Sequence, residues 1–591
     1  MKNRIKQYLL AASMCVGLTA CSDFFEPIPG VQFGLDETFA SKQRTEEYLN
    51  NVYSYVREVT DAIHPNTYGG IFTEASLDGA NRWNKTYAEW TNGSFNSASA
   101  QASEYFSKYY QAIAKASTFI QNVDKCTEAA ASTRGKWKSE ARALRAYYYF
   151  ELLRLYGPIP LIGEDPIPLD ASLEELIKER NSVDECVNFI ATELQSAIDS
   201  GDLLQRAGKA NLGRMDVATC MALKAKLYLY WASPLFNGNT DQASVKNKDG
   251  KQLFPQTEDN SKWTQARDAY ERFMTFATGQ GYKLTEVYTN GKLDPYASCR
   301  AAGEFFTTTW EAVDELIFVK LRDLYDYTYW VCPKFTDFQD TDVTGGGGYY
   351  TTQETVDLFF TKDGLTIEED PGYDKFEGIP GANNFTSGRY YDPNNPSRLY
   401  FDADKSKVLK QWKDREPRFY VNITYSGSIW LNEGKYNEEM RTDFTNGANG
   451  TCGKSKASGD CPDSGYLIRR GAKASNNNGS KHFSPVLRLA DMYLGYAEAL
   501  CMCSDLDNAL TYLNKIRVRA GIPEYTFTAT AGKITCPKTQ TDLLNRIRRE
   551  RLVELVFEWN RYFDVRRWKV AEGQNDPEHW IYPAYHTGGE G

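Results

Sequence analysis

The sequence predicts a mainly α-helical protein, built from tetratricopeptide-like helix pairs and interrupted by a loop-rich, partly β insertion. Three observations carry this reading. Long stretches near both ends of the chain repeat apolar or aromatic residues at i, i+3 and i+4, the period of an amphipathic helix. Several of these stretches form look-alike pairs, with Gly or Ala where two helices would cross and an aromatic residue one turn later. Between about 278 and 480 the texture changes to short alternating runs punctuated by glycine, proline and asparagine.

From the N-terminus, Lys2, Arg4 and Lys6 precede a mostly apolar run over residues 8–18. That run is shorter than the roughly 20 residues a membrane span needs, so residues 1–20 read as a secretory signal. Its end, Leu18-Thr19-Ala20-Cys21, resembles the bacterial lipobox, in which the cysteine is diacylated and becomes the first residue. An ordinary signal cleaved near Ala20, with Cys21 a free or bridged thiol, is the other reading. A lipid on Cys21 would hold the chain on a membrane without crossing it, and no later stretch reaches 18 unbroken apolar residues. Ser22-Asp23-Phe24-Phe25-Glu26-Pro27, with Pro29-Gly30 after it, reads as a tether.

Helices are expected at 101–123, 132–156, 183–199, 214–232, 262–277, 485–503, 506–519 and 541–559. Gly157-Pro158 stops the second and Gly521-Ile522-Pro523 the seventh. The clearest pair joins 492–500 to 507–516; a second joins 222–232 to 263–276, where Trp263, Ala266 and Tyr270 are suitably spaced; 141–156 with 186–198 makes a third. Within the insertion, 419–424 and 428–431 alternate as strands do, and Gly345 to Gly348 read as a flexible loop. The expected division is a helical region over 21–330 and a C-terminal region over 331–591, forming a single compact unit.

Composition excludes more than it names. A net charge of −10 argues against a nucleic-acid partner, whose phosphates need a basic face. Four scattered histidines and no C-x-x-C pair leave little material for zinc or thioredoxin chemistry. Gly447-Ala448-Asn449-Gly450-Thr451-Cys452-Gly453-Lys454-Ser455 fails as a phosphate loop, because its glycine spacing is wrong and no apolar strand precedes it. Glu550, Glu554 and Glu558 align at i, i+4 on one helix, but with arginines at 548, 549, 561, 566 and 567 they read as an ion-pair network and not as acid–base catalysts. Cys452 and Cys461 flank a polar loop at a spacing that permits a disulfide. The Asp-rich stretches 337–342 and 370–374 are candidates for a structural calcium ion, although no EF-hand pattern is present; no other cofactor is expected.

Ordered motifs then suggest a family. Glu140-Ala141-Arg142-Ala143-Leu144-Arg145-Ala146-Tyr147-Tyr148-Tyr149-Phe150 runs into Leu155-Tyr156-Gly157-Pro158-Ile159-Pro160-Leu161. Next come Thr352-Gln353-Glu354-Thr355-Val356-Asp357-Leu358-Phe359 with Lys362-Asp363-Gly364, and then Asp414-Arg415-Glu416-Pro417-Arg418. Leu487-Arg488-Leu489-Ala490-Asp491-Met492-Tyr493-Leu494, Leu513-Asn514-Lys515-Ile516-Arg517, Arg549-Glu550-Arg551-Leu552-Val553-Glu554-Leu555 and Arg561-Tyr562-Phe563-Asp564-Val565-Arg566-Arg567-Trp568 close the series. In this order, behind a lipobox, the chain resembles the SusD/RagB family of outer-membrane nutrient-binding lipoproteins. The resemblance implies a SusD-like fold with four tetratricopeptide-like helix pairs supporting a loop-rich face. It also implies a non-enzymatic protein of the cell surface that delivers glycan to a SusC-type TonB-dependent transporter. The RagB side of the family makes peptide the alternative ligand.

A glycan site needs aromatic faces for the apolar faces of sugar rings, with carboxylates, amides or guanidinium groups for the hydroxyls. In SusD relatives comparable early and middle loops hold the ligand. Here the early loop offers Asp78, Asn81, Arg82 and Trp83, and the middle segment offers Tyr296, Tyr325, Tyr329 and Trp330. If 325–329 were extended, Tyr325, Tyr327 and Tyr329 would share one face. The same aromatics would also serve to pack loops onto the helices.

Overall fold

The computed structural model describes residues 34–57, 71–76, 78–82, 96, 99–163, 167, 171–303, 314–322, 325–335, 345–375, 380–431, 440–444, 452, 460–472 and 482–570. The signal, Cys21 and the tether lie outside them, as do Trp83 and the Asp-rich stretch 337–342.

The first half is helical. It comprises α1 (Leu35–Ala40), α2 (Lys42–Ser54), α3 (Ile71–Glu74), β1 (Ala80–Asn81), α4 (Ala100–Asn122), α5 (Ala131–Tyr156), α6 (Leu173–Leu176), α7 (Val183–Asp199), α8 (Val217–Ala232) and α9 (Ser261–Gly279). The middle is mixed: β2 (Tyr288–Thr289), β3 (Lys292–Leu293), α10 (Pro295–Gly303), β4 (Leu316–Arg322), α11 (Tyr325–Val331), β5 (Tyr349–Tyr350), α12 (Gln353–Leu358), β6 (Arg389–Asp392), β7 (Asn395–Asp402), α13 (Pro417–Asn422), β8 (Ile423–Tyr425), β9 (Tyr466–Ile468) and β10 (His482–Arg488). The C-terminal part returns to helix in α14 (Leu489–Met502) and α15 (Leu506–Ala520). Short strands β11 (Tyr525–Thr526) and β12 (Ile534–Thr535) then precede α16 (Gln540–Glu554) and α17 (Asn560–Arg567). The fold is mainly α, with small sheets confined to the insertion and its margins.

Local chemistry sets the helix ends. Ser182 and Glu185 form a reciprocal capping box that opens α7. Asp216 caps α8 through the Thr219 amide at 2.7 Å, and burial pushes its carboxyl up to about 6. Gly521, at φ +74°, closes α15 in the left-handed conformation that suits glycine. The helices pack in succession, α4 on α5, α5 on α7, α7 on α8 and α8 on α9, and α14 then packs on α9, α15 and α16. At the crossing of α9 and α14 the small residue is indispensable: a Cβ on Gly495 would lie 2.3 Å from the Tyr270 hydroxyl.

Glu550 and Glu554 do belong to an ion-pair network, but mostly with distant partners. Arg418 reaches Glu416 and Glu550, each at 2.7 Å; Arg517 reaches Glu550 at 3.0 Å; and Arg488 joins Glu315 to Glu554, each at 2.8 Å. Arg519 also pairs with Glu554. Burial alone would raise the Glu554 carboxyl, but Arg519, Arg488 and Arg418 outweigh it and hold it below the ordinary range. A second knot links Arg567 to Glu498 at 2.6 Å and to Asp564 at 2.8 Å, with Arg551 joining Asp564 to Asp491.

Several expectations need correction. Residues 485–488 belong to β10, whose edge pairs with β4, and not to α14. The last long helix stops at Glu554, because Phe557 and Trp559 take positive φ and Glu558 turns back to Arg470 and Arg488. Residues 417–422 are helical, and only 423–425 continue as strand. Residues 428–431 contribute isolated bridges instead of a strand. Cys452 and Cys461 are both buried, and no disulfide joins them.

Candidate binding face

A four-stranded antiparallel sheet, ordered β1-β5-β9-β8, brings the early loop to the middle of the chain. Asn81 faces Tyr349 in the register, Ala80 faces Tyr350, and the Arg82 amide donates to the Gly348 carbonyl at 3.0 Å. The Arg82 guanidinium pairs with Asp463 and donates to the Cys461 carbonyl at 3.3 Å. The Asp463 side chain is 51% exposed and that of Arg82 20%, so this pair edges the surface.

Gly345 to Gly348 are a buried irregular segment laid against α11 and the residues just after it. The Gly345 amide donates to Pro333 at 2.9 Å, Gly346 to Tyr329 at 2.7 Å and Gly347 to Cys332 at 2.9 Å. Glycine is required by the approach: a Cβ on Gly345 would lie 2.3 Å from the Cys332 carbonyl oxygen.

The residues singled out in the sequence divide between surface and interior. Asn81 and Arg82 are half-buried at the sheet edge, and Tyr329 is half-buried on α11. Tyr325 is the first residue of α11. Because this segment is helical, successive residues turn by about 100° and Tyr327 and Tyr329 diverge; the shared face of an extended run is lost. Tyr327 points inward and donates to the Arg470 carbonyl at 2.7 Å. Trp330 is buried. Asp78 is also interior, paired with Arg561 at 2.9 Å, and burial raises its carboxyl more than Arg561 lowers it. Tyr296 is buried on α10 under the Arg398 guanidinium, 4.3 Å from its ring centre. Asp78, Tyr296 and Trp330 are thus all buried in this structure.

Residues not singled out complete the face. Tyr350 is half-buried beside Arg82; burial first, and then the charges of Asp463 and Glu74, raise its phenol against the opposing pull of Arg82. Beneath it, one carboxyl oxygen of Glu74 finds no partner among the described residues. Burial raises that carboxyl well above the usual range, which favours its neutral form. Lys334 pairs with Asp460 nearby in sequence to Asp463. The only signal for Asp463 was its turn, Pro462-Asp463-Ser464-Gly465. Among the described residues no group of three or more His, Cys, Asp or Glu is placed to hold a metal. In the Asp-rich stretch 370–374, Asp370 closes a turn onto the Gly372 amide and Asp374 pairs with Lys410.

The face therefore consists of one open ion pair, an amide and two tyrosines over a sheet whose strands are locked by glycine. Known proteins with this architecture define its class. Residues 315–585 match the family model described as "SusD family", and 32–229 match one described as "Starch-binding associating with outer membrane". A "SusD-like protein" of Bacteroides ovatus is 27% identical over 175 residues, which is 28% of this chain and 30% of that relative. The chain thus matches less than a third of that relative's length. Among solved structures, the fold is similar to BT4246, with a TM-score of 0.72 at 24% identity over 90% of both chains. It is also similar to a SusD-like carbohydrate binding protein from Bacteroides fragilis, with a TM-score of 0.62 at 19% identity over 91% of this chain and 88% of that one. The chain belongs to the SusD/RagB family.

Proposed function

We propose that this protein is a lipid-anchored glycan receptor of the cell surface that passes oligosaccharide to a SusC-type TonB-dependent outer-membrane transporter. It binds through Asn81, Arg82, Tyr329, Tyr350 and Asp463, with Trp83 and Tyr325 as further aromatic contacts. Family membership supports glycan as the ligand, as does the outer-membrane description of the matched model. The observation that carries the site is the open Arg82–Asp463 pair at the sheet edge. It sets a fixed donor next to a fixed acceptor, the arrangement that neighbouring sugar hydroxyls satisfy. Charges at the face cancel, Arg82 with Asp463 and Lys334 with Asp460, which favours an uncharged ligand. The same pairing supports capture without cleavage, since these carboxylates are tied to cations instead of being poised as an acid and a base. Cys21 carries the lipid.

Calorimetry against neutral oligosaccharides, uronate-containing oligosaccharides and peptides tests the assignment. Neutral glycan binds, and Arg82→Met or Asp463→Asn weakens it by about tenfold, in keeping with about 1.5–3 kcal/mol for hydrogen bonds to charged groups. Binding of peptide alone would transfer the site to the RagB-like reading. Labelling with radioactive palmitate is lost in Cys21→Ala if the anchor is correct.

A further inference from the structure

The end of α2, the loop that precedes α8 and strand β4 enclose a cleft of about 330 Å³, within the size range of small-molecule pockets. Its walls are tied to one another. The Met215 amide donates to the Tyr53 hydroxyl at 2.9 Å, and the Lys320 ammonium donates to the Tyr53 and Ser54 carbonyls at 3.0 and 2.7 Å. Gly213, at φ +89°, lets the loop come close to β4, because a Cβ there would stand 3.1 Å from the Val319 carbonyl oxygen.

The lining is divided in character. Leu212, Val319 and Leu321 form an apolar side; Leu212 packs on the small cluster of Leu316, Val319 and Phe483, and Leu321 is 55% exposed. Arg214 and Lys320 supply two cations, with Tyr53 between them: the guanidinium lies 4.9 Å from its ring centre and the ammonium sits on its carbonyl. Arg214 is matched, by Glu140 at 2.6 Å and by Asn50 Oδ1 at 3.2 Å. Lys320 is not. Its two acceptors are neutral carbonyls, so one ammonium hydrogen is left over. Burial alone pushes the amine down to about 8, the sign of a cation whose surroundings supply no counter-charge. Two cations against the single carboxylate of Glu140 leave one positive charge in excess beside open space.

We infer that the cleft is a binding site for a small organic acid, its carboxylate held by Lys320 and Arg214 and a short apolar body laid against Leu212, Val319 and Leu321. A carboxylate takes charge-assisted hydrogen bonds from both donors and neutralises the excess charge. The apolar side offers nothing to a hydroxyl, which separates this ligand from the neutral glycan proposed for the sheet edge.

An NMR titration of the Lys320 ¹³Cε signal in the intact protein tests this, with isobutyrate, isobutyramide, glucuronate and sodium chloride compared at one ionic strength. At saturation isobutyrate raises the Lys320 midpoint by about one unit or more, the mark of roughly tenfold tighter binding to the ammonium than to the amine. The amide and chloride leave the midpoint in place. Leu321→Glu, which sets a carboxylate at an exposed position of the lining, cancels the isobutyrate shift. Arg82→Met leaves that shift whole, so loss of the glycan site and loss of this one are told apart. A midpoint unmoved by isobutyrate overturns the proposal, as does an equal shift in chloride or in the amide. So does a shift that survives Leu321→Glu, or one produced by glucuronate alone, since the apolar body would then have no part in binding.

Discussion

Replacing Gly345 with alanine tests the construction of the binding face. The added Cβ would lie 2.3 Å from the Cys332 carbonyl oxygen, 2.4 Å from Cys332 Cβ and 2.5 Å from the Tyr329 carbonyl oxygen. Comfortable contact needs about 3.5 Å, and none of the three atoms can rotate away. The glycine segment must retreat from α11 by about 1 Å, stretching the hydrogen bonds that Gly345, Gly346 and Gly347 make to Pro333, Tyr329 and Cys332. Overpacking of this kind costs about 1–3 kcal/mol, and weakening such hydrogen bonds adds about 1 kcal/mol each. The lower entropy of the unfolded alanine chain returns only about 0.4–1 kcal/mol, leaving a loss of roughly 3 kcal/mol or more. Gly279→Ala is the control, because its Cβ would meet nothing within 4 Å; it should be neutral or slightly stabilising. Urea unfolding followed by tryptophan fluorescence measures both, and glycan affinity should fall for Gly345→Ala alone, since the displaced segment leads into Tyr350 of β5. A Gly345→Ala protein within about 0.5 kcal/mol of wild type, with unchanged affinity, would refute the packing of the glycine segment on α11.

Two further outcomes follow from buried charge. Glu498→Gln leaves Arg567 without its bidentate partner at 2.8 and 2.6 Å and weakens the acceptor for Trp568 Nε1; removing one partner of a buried pair costs about 3–5 kcal/mol, read as a lower urea midpoint, and a change under 1 kcal/mol would contradict the pairing. Lys320 is pushed down to about 8 by burial while it donates to the Tyr53 and Ser54 carbonyls at the end of α2. Its folded value lies below its unfolded one, so between about pH 8 and 10.5 the unfolded chain holds the proton more tightly and this lysine's contribution to stability rises with pH. Lys320→Met should flatten that rise, and an NMR titration of the lysine ¹³Cε signals of the wild type should place the Lys320 midpoint more than one unit below those of exposed lysines.

The helices were legible because their apolar period is local. Gly495 does sit at a helix crossing, but against Tyr270 of α9, outside the expected pair of 492–500 with 507–516. The breaks at 488 and 554 were not, because they depend on partners elsewhere: β4 claims 482–488, and Arg470 and Arg488 pull Glu558 out of helical register. The ion network was foreseen as a network but with the wrong arginines, since Arg488 lies 66 residues from Glu554 and Arg519 lies 204 from Glu315. At the binding face, residue type alone cannot separate an aromatic that stacks on a sugar from one that fills a core. Trp330 and Tyr296 looked like platforms and are buried, while Tyr350 is half-buried in β5 and Asp463 is exposed in the turn before β9.

The pairing of Asp78 with Arg561 also has a dimension in time. The two residues are 483 positions apart, and a ribosome adding about 5–20 residues per second needs roughly 25 to 100 s to make the second after the first. Arg551 and Arg567 likewise come from helices α16 and α17, among the last segments to be made. Throughout that interval the early segments hold carboxylates destined for burial without the cations that permit it. A chain cut short before α17 lacks Arg561 and Arg567, and the carboxylates of Asp78 and Glu498 are left without the cations that permit their burial.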